Sequence, residues 1–231
     1  MDDSSSVDPV PWLARVRERI TPMCDSCVSA TEVDGGGVGL LSSDGVRSVL
    51  YATDDVSTAL ENLQTTLAEG PCIDAADGRT PVLIGDLQDP REGVRQRWPF
   101  FLPEAERLEV RSVFVFPLRV GGIVLGTLEL YRREAGGMPA EQVTAALRSA
   151  DDMGTALIDA GGPEDVARIG SLAASVHQAA GMVMVQLDST VDTAMAQLRA
   201  RAFAEGLSLT ELAGQVVSGR RRLSNDPEEQ G

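Results

Sequence analysis

Two apolar runs, RSVFVFPLRV (111–120) and IVLGTLELYRR (123–133), flank the dipeptide Gly121-Gly122. Both are rich in β-branched and aromatic residues, and a glycine turn between such runs predicts a β-hairpin. No other feature restricts the fold as much, because a hairpin of this length commits the chain to an antiparallel sheet that something must cover. GVGLLSS (37–43) and VRSVLYAT (46–53), on either side of Asp44-Gly45, predict a second hairpin, and PVLIGDL (81–87) a further strand.

Helical patterns surround these strands. PWLARVRERI (11–20) repeats Trp12, Val16 and Ile20 at helical spacing. PMCDSCVSAT (22–31) reads as a separate helix, with Thr21 as its cap and Pro22 at its first position. STALENLQTTLAEG (57–70) aligns Leu60, Leu63 and Leu67 and stops at a glycine, and residues 139–158 place Val143, Leu147, Ala150, Gly154 and Leu157 on a heptad seam. The order predicts an α+β domain over 1–160, with a mainly antiparallel sheet flanked by helices.

Gly161-Gly162-Pro163 ends that grammar, and no strand signal follows. Val166, Ile169, Ala173, Val176, Ala180, Val183 and Leu187 are spaced alternately by three and four, as in a coiled-coil seam. Ser189-Thr190-Val191-Asp192 has the form of a capping box before AMAQLRARAFAEG, which closes at Gly206; Ser208 to Glu211 opens a third helix ending near Gly219. Residues 161–223 therefore read as an all-α three-helix domain with a long, coiled-coil-forming first helix, and 224–231 as an acidic tail. The two seams (Val143, Leu147, Ala150 and Leu157; Val166, Ile169, Val176, Val183 and Leu187) predict a homodimer. Ala179, Ala180 and Gly181 suggest close helix approach, and Phe203 packing between the second and third helices.

Charge bears on partners. The chain of 231 residues has a net charge of −15, and all 20 of its basic residues are arginine. A strongly acidic protein is repelled by nucleic acid at long range. The excess is uneven, however: residues 1–163 hold 14 Arg against 26 acidic residues, whereas 164–223 hold six of each. The start MDDSSSVDP lacks the form of a secretory signal and no run approaches about 18 apolar residues, so a cytoplasmic protein without membrane contact is expected.

Cys24, Cys27 and Cys72 are an odd number and are expected as thiols rather than disulfides. Cys24 and Cys27 fit core packing on one helical face, with redox sensing by a thiol near a helix amino terminus as the alternative. The one histidine, His177, opens HQAAGMVMVQL (177–187) and reads as a helix-surface residue beside a buried seam; no metal or catalytic site is expected.

HQAAGMVMVQL, AMAQLRARAFAEG and SLTELAGQVVSG, in that order, resemble an ANTAR domain, the RNA-binding module of bacterial transcription antiterminators. The matching positions are Gln178, Ala179 and Gly181; Ala194 or Met195 with Leu198, Arg199 and Ala202; and Leu209, Leu212 and Ala213. Ala180 stands where the family often has a lysine. LAEGPCIDAADGRTPVLIGDL and RSVFVFPLRVGGIVLGTLELYRR are similar to a GAF sensor domain. The resemblance implies a signal-responsive antiterminator that senses a small molecule or redox state upstream. As a dimer, it would capture hairpins in transcript leaders downstream.

RNA contact is expected from Gln178, Gln197, Arg199, Arg201, Arg220, Arg221 and Arg222. Neutralisation by the five arginines predicts a log–log salt slope of about −3.5. An unidentified small-molecule effector would be lined by Cys72, Asp74, Trp98, Phe100 and Phe101. The NKFDE pattern of cyclic-nucleotide-binding GAF domains is absent and the segment lacks histidine, which disfavours those nucleotides and histidine-ligated haem; the cofactor stays unassigned. The competing readings are a ligand-gated protein–protein adaptor, a GAF-type methionine sulfoxide reductase and a duplex-DNA binder.

Overall fold

A computed structural model describes residues 11–42, 47–160 and 174–224. Strands β1 (Gly35–Leu41), β2 (Arg47–Ala52), β3 (Val82–Ile84), β4 (Ser112–Val120) and β5 (Ile123–Arg132) form one sheet in the order β2-β1-β5-β4-β3, every neighbouring pair antiparallel. The β4–β5 hairpin turns where expected, with Gly121 at φ 61°, a conformation glycine adopts without penalty. β1 pairs with β2 as well; their turn at Asp44-Gly45 lies outside the described residues.

Strand alternation divides the sheet into two unlike faces. Val38, Leu40, Phe114, Phe116, Leu118, Leu128 and Leu130 meet helices α1 (Pro11–Thr31) and α6 (Ala140–Ala160) in the main apolar core. The opposite face is covered by α2 (Asp55–Leu67), α3 (Pro71–Gly78), α4 (Val94–Arg97) and α5 (Phe101–Arg107), and it is partly polar. Asp54 caps α2 by accepting from the Ser57 amide at 2.7 Å, and Ala68 ends it in the left-handed conformation.

The expected break at Thr21-Pro22 does not occur, and α1 runs unbroken through Pro22. An interior proline costs about 3 kcal/mol. Here it sits on the exposed side of the helix. The buried stripe Trp12, Val16, Ile20, Cys24 and Cys27 holds the helix to the sheet on the other side.

The seam expected on α6 is mostly occupied within the chain. Ala150 and Leu157 are buried against α1 and β4, Val143 packs half-buried against the same core, and only Leu147 is substantially exposed, at 37%. Those apolar atoms are already used within the chain.

Beyond 161–173, which are not described, three helices follow: α7 (Ala174–Leu187), α8 (Val191–Ala204) and α9 (Leu209–Val217). Val176, Ala179, Ala180, Val183, Ala194, Leu198, Ala202, Leu209, Leu212, Ala213 and Val216 form their own core, with Leu187 against it. Val176, Val183 and Leu187 thus serve the bundle interior, while Val166 and Ile169 lie outside the described residues. Ser208 and Glu211 make the full capping box of α9. The cap of α8 is Thr190, accepting from the Thr193 amide at 3.2 Å, and the Ser189–Asp192 box does not form. α8 and α9 dock on α2.

Candidate functional site

Polar side chains from four elements converge on the face of the sheet beneath α2 and α3. Arg47 at the start of β2, Glu61 and Gln64 on α2, Cys72 on α3, and Thr127 and Glu129 on β5 are all buried. Arg47 Nη2 donates to Glu61 Oε2 and to Thr127 Oγ1, both at 2.8 Å. Gln64 bridges the other half: its Nε2 donates to Glu129 Oε1 at 2.9 Å, and its Oε1 accepts from the Cys72 amide at 2.7 Å.

Glycines in β1 make room for this group. A Cβ on Gly39 would lie 2.5 Å from Arg47 Nη2 and 2.7 Å from Glu61 Oε2, and one on Gly37 3.2 Å from Glu61 Cγ. Register sets Gly37 opposite Glu129 and Gly39 opposite Thr127. The strand therefore gives up side chains where β2, β5 and α2 bring in charge, and that substitution creates the site.

Burial dominates its electrostatics. Desolvation, reinforced by repulsion from Glu61 and opposed by Arg47, pushes Glu129 up to about 8. Burial, then the Glu129 charge, raises the Cys72 thiol well above its ordinary value. Burial acts to deprotonate Arg47, but Cys72, Glu61 and Glu129 outweigh it and hold the guanidinium charged. The guanidinium thus stays charged beside a carboxyl and a thiol that both hold their protons more tightly than usual.

Donor atoms of Glu61, Cys72 and Glu129 lie within 4.8 Å of one another. Among the described residues no other trio of His, Cys, Asp or Glu side chains brings its donors as close.

The five residues expected to line an effector pocket are not brought together. Cys72 belongs to the buried polar group. Asp74 lies at the surface, where it accepts from Arg97 Nη2 at 2.7 Å, and Arg97 stacks on Trp98 at 4.5 Å. Trp98 and Phe101 pack edge to face at 5.9 Å inside the core, whereas Phe100 is 61% exposed.

Burial sets the state of the other two cysteines as well. Cys24 is pushed up to about 12 by burial and then by Cys27, and burial also raises Cys27. Buried, protonated thiols are poor nucleophiles.

In the bundle, Gln178 and Gln197 are exposed, and His177 is half-buried on α7. Arg199 is half-buried, its Nε has no partner among the described residues, and desolvation lowers its affinity for the proton. Arg201 Nε lies 3.7 Å from Glu205, and Arg221 Nη1 donates to the same carboxylate at 2.6 Å. Arg220 donates to Ser218 Oγ at 2.9 Å, and Arg222 is exposed. Gln186 Oε1 accepts from the Leu223 amide at 2.9 Å, which brings the arginine run against the last turn of α7.

Two expectations fail in this region. Gly181 is not a point of close helix approach among the described residues, since a Cβ there would meet none of their atoms within 4 Å. Phe203 is 38% exposed and lines a cleft of about 730 Å³ between α2, α5 and the ends of α8 and α9, instead of packing inside the bundle.

The GAF domain family model matches residues 14–158, more than half of the chain. The chain belongs to the GAF domain family. Among solved structures it is similar to the GAF domain region of a Geobacter sulfurreducens PCA protein, at 13% identity and TM-score 0.52, covering 64% of this chain and 95% of that one. It is similar to a domain assigned to a two-component sensor histidine kinase protein of Sinorhizobium meliloti 1021, at 15% identity and TM-score 0.50, covering 64% and 94%. A third is the photoproduct state of GAF3 from Slr1393 of Synechocystis sp. PCC6803, at 16% and TM-score 0.50, covering 63% and 94%. These likenesses show the fold. A search of curated proteins gave no match.

Proposed function

We propose that the chain is a signal-responsive RNA-binding regulator of the antiterminator class, in which the GAF domain senses and the three-helix module captures hairpin RNA. The observation that carries the reading is the outer face of α7. Gln178 and Gly181 lie there one turn apart, and the Arg220–Arg222 run is tied to the last turn of the same helix. A mid-helix glycine costs about 1 kcal/mol relative to alanine, and no neighbour among the described residues needs the space. Close approach by an outside partner supplies the reason, and phosphates flanking unstacked loop bases fit amide and guanidinium donors.

The contact set is narrower than the sequence suggests. Gln178, Gln197, Arg220 and Arg222 are presented directly, Arg201 and Arg221 must be released by Glu205, and Arg199 supports the helix from a half-buried position. A homodimer belongs to the same reading. It has to use what the interior leaves over, such as Leu147 and Ile158 on α6 or Val185 and Val191 near the α7–α8 turn.

Val185, 76% exposed, together with Met184 and Val191, also favours the adaptor reading, in which an apolar helix of a protein partner docks here. The reductase reading lacks support, since Cys72 is sealed and Cys24 and Cys27 pack on the other side of the sheet. Titration of the full chain with a two-hairpin RNA at several salt concentrations tests the proposal. Saturable binding that weakens with salt and prefers looped RNA to duplex DNA supports it; salt-independent binding, or none at micromolar protein, overturns it.

A further inference from the structure

We propose that Glu61, Cys72 and Glu129 bind one divalent transition-metal ion, of the class of zinc or ferrous iron, at the centre of the GAF domain. The donors come from three elements, α2, α3 and β5, and all are buried. An ion centred among atoms at most 4.8 Å apart is roughly 2.8 Å from each, so a contraction of about half an ångström reaches ordinary metal–oxygen and metal–sulfur distances.

One oxygen of the trio points the same way. Among the described residues, Glu61 Oε1 is buried without a hydrogen-bond partner. That oxygen lies 3.5 Å from where a Gly37 side chain would begin, and Gly37 is the register partner of Glu129. A carboxylate oxygen left bare at this depth costs free energy unless something ligates it.

Charge and orientation also fit. Two carboxylates and a thiolate carry three negative charges; a dication and the Arg47 guanidinium carry three positive ones. Loading expels the protons of Cys72 and Glu129 to solvent and leaves no net charge in the interior. The donors are already aimed by their neighbours: Arg47 holds Glu61, and Gln64 holds both Glu129 and the Cys72 backbone. A thiolate beside two carboxylates selects zinc, iron or cobalt over calcium or magnesium. Three protein ligands leave a coordination position for water or a small exogenous ligand.

The site stands on the GAF domain alone, whether or not the helical module binds RNA. The test uses the full chain, stripped with a chelator and titrated with Co²⁺ alone. One equivalent should bind and give a thiolate-to-cobalt charge-transfer band in the near ultraviolet. Cys72→Ser should abolish the band, Glu129→Gln should weaken affinity roughly tenfold or more, and Cys24→Ser with Cys27→Ser should leave both unchanged, circular dichroism confirming the fold of each. Absence of the band in the unsubstituted chain, or its survival in Cys72→Ser, overturns the assignment.

Discussion

Replacement of Arg47 by methionine removes the one cation from the buried polar group while keeping most of its volume. Arg47 holds Glu61 and Thr127 at 2.8 Å with both ionic side chains 1% exposed. Removing one partner of a buried ion pair costs about 3–5 kcal/mol, because the other charge is left without compensation. In the variant Glu61 must keep an unbalanced charge or take up a proton, and Glu129, pushed up to about 8, already holds one. The sign follows from linkage: a carboxyl protonated in the fold but ionised in the unfolded chain, above its ordinary value of about 4.3, loses about 1.4 kcal/mol of stability per pH unit as pH rises. One extra such group makes the Arg47→Met penalty shrink by about 3 kcal/mol between pH 7.5 and pH 5. Urea unfolding followed by the fluorescence of buried Trp12 and Trp98, with chelator present, measures it across that range. A penalty equal at both pH values would refute the electrostatic reasoning and leave a packing defect.

The unsubstituted chain should itself lose stability as pH rises towards about 8, and Glu129→Gln should flatten that dependence in the same unfolding assay. In Glu205→Gln the freed Arg201 and Arg221 should tighten RNA binding by up to about fivefold, the range of an exposed ion pair, and steepen its salt dependence. Gly181→Ala should raise the stability of the bundle by about 0.5–1 kcal/mol, since the added methyl meets no neighbour, and at the same time lower RNA affinity, which denaturation and titration read separately. None of the three thiols should react with a disulfide reagent at pH 7.5 before the chain unfolds; rapid modification of any one would contradict their burial.

Both hairpins were legible because period-two alternation and glycine turns are local signals, and α9 was legible from the Ser208–Glu211 box. The course of α1 was not, because what decides whether a helix continues through Pro22 is the tertiary burial of Trp12, Val16, Ile20, Cys24 and Cys27. Heptad spacing on α6 and α7 was real, yet it does not specify whether the stripe meets another chain or its own. Ala150, Leu157, Val176 and Val183 meet their own.

The polar group beneath α2 was missed, although it left traces. Three consecutive glycines open β1, and Thr127 and Glu129 occupy alternate positions in the middle of a mainly apolar strand, which marks a polar patch on one sheet face. What the sequence cannot supply is the register that sets Gly37 opposite Glu129, or the approach of Arg47 from a neighbouring strand. The expected pocket residues failed for a related reason: adjacency along 98–101 placed Trp98 and Phe101 inward and Phe100 outward.

The role of the helical module is tested most directly by recovering the RNA bound by the full chain from transcripts of its source, beside a variant carrying Gln178→Ala and Arg222→Ala. Enrichment of leader segments with paired hairpins, lost in the variant, is the expected result. Recovery of no RNA above background, or of the same set with the variant, would contradict an RNA-binding face on α7.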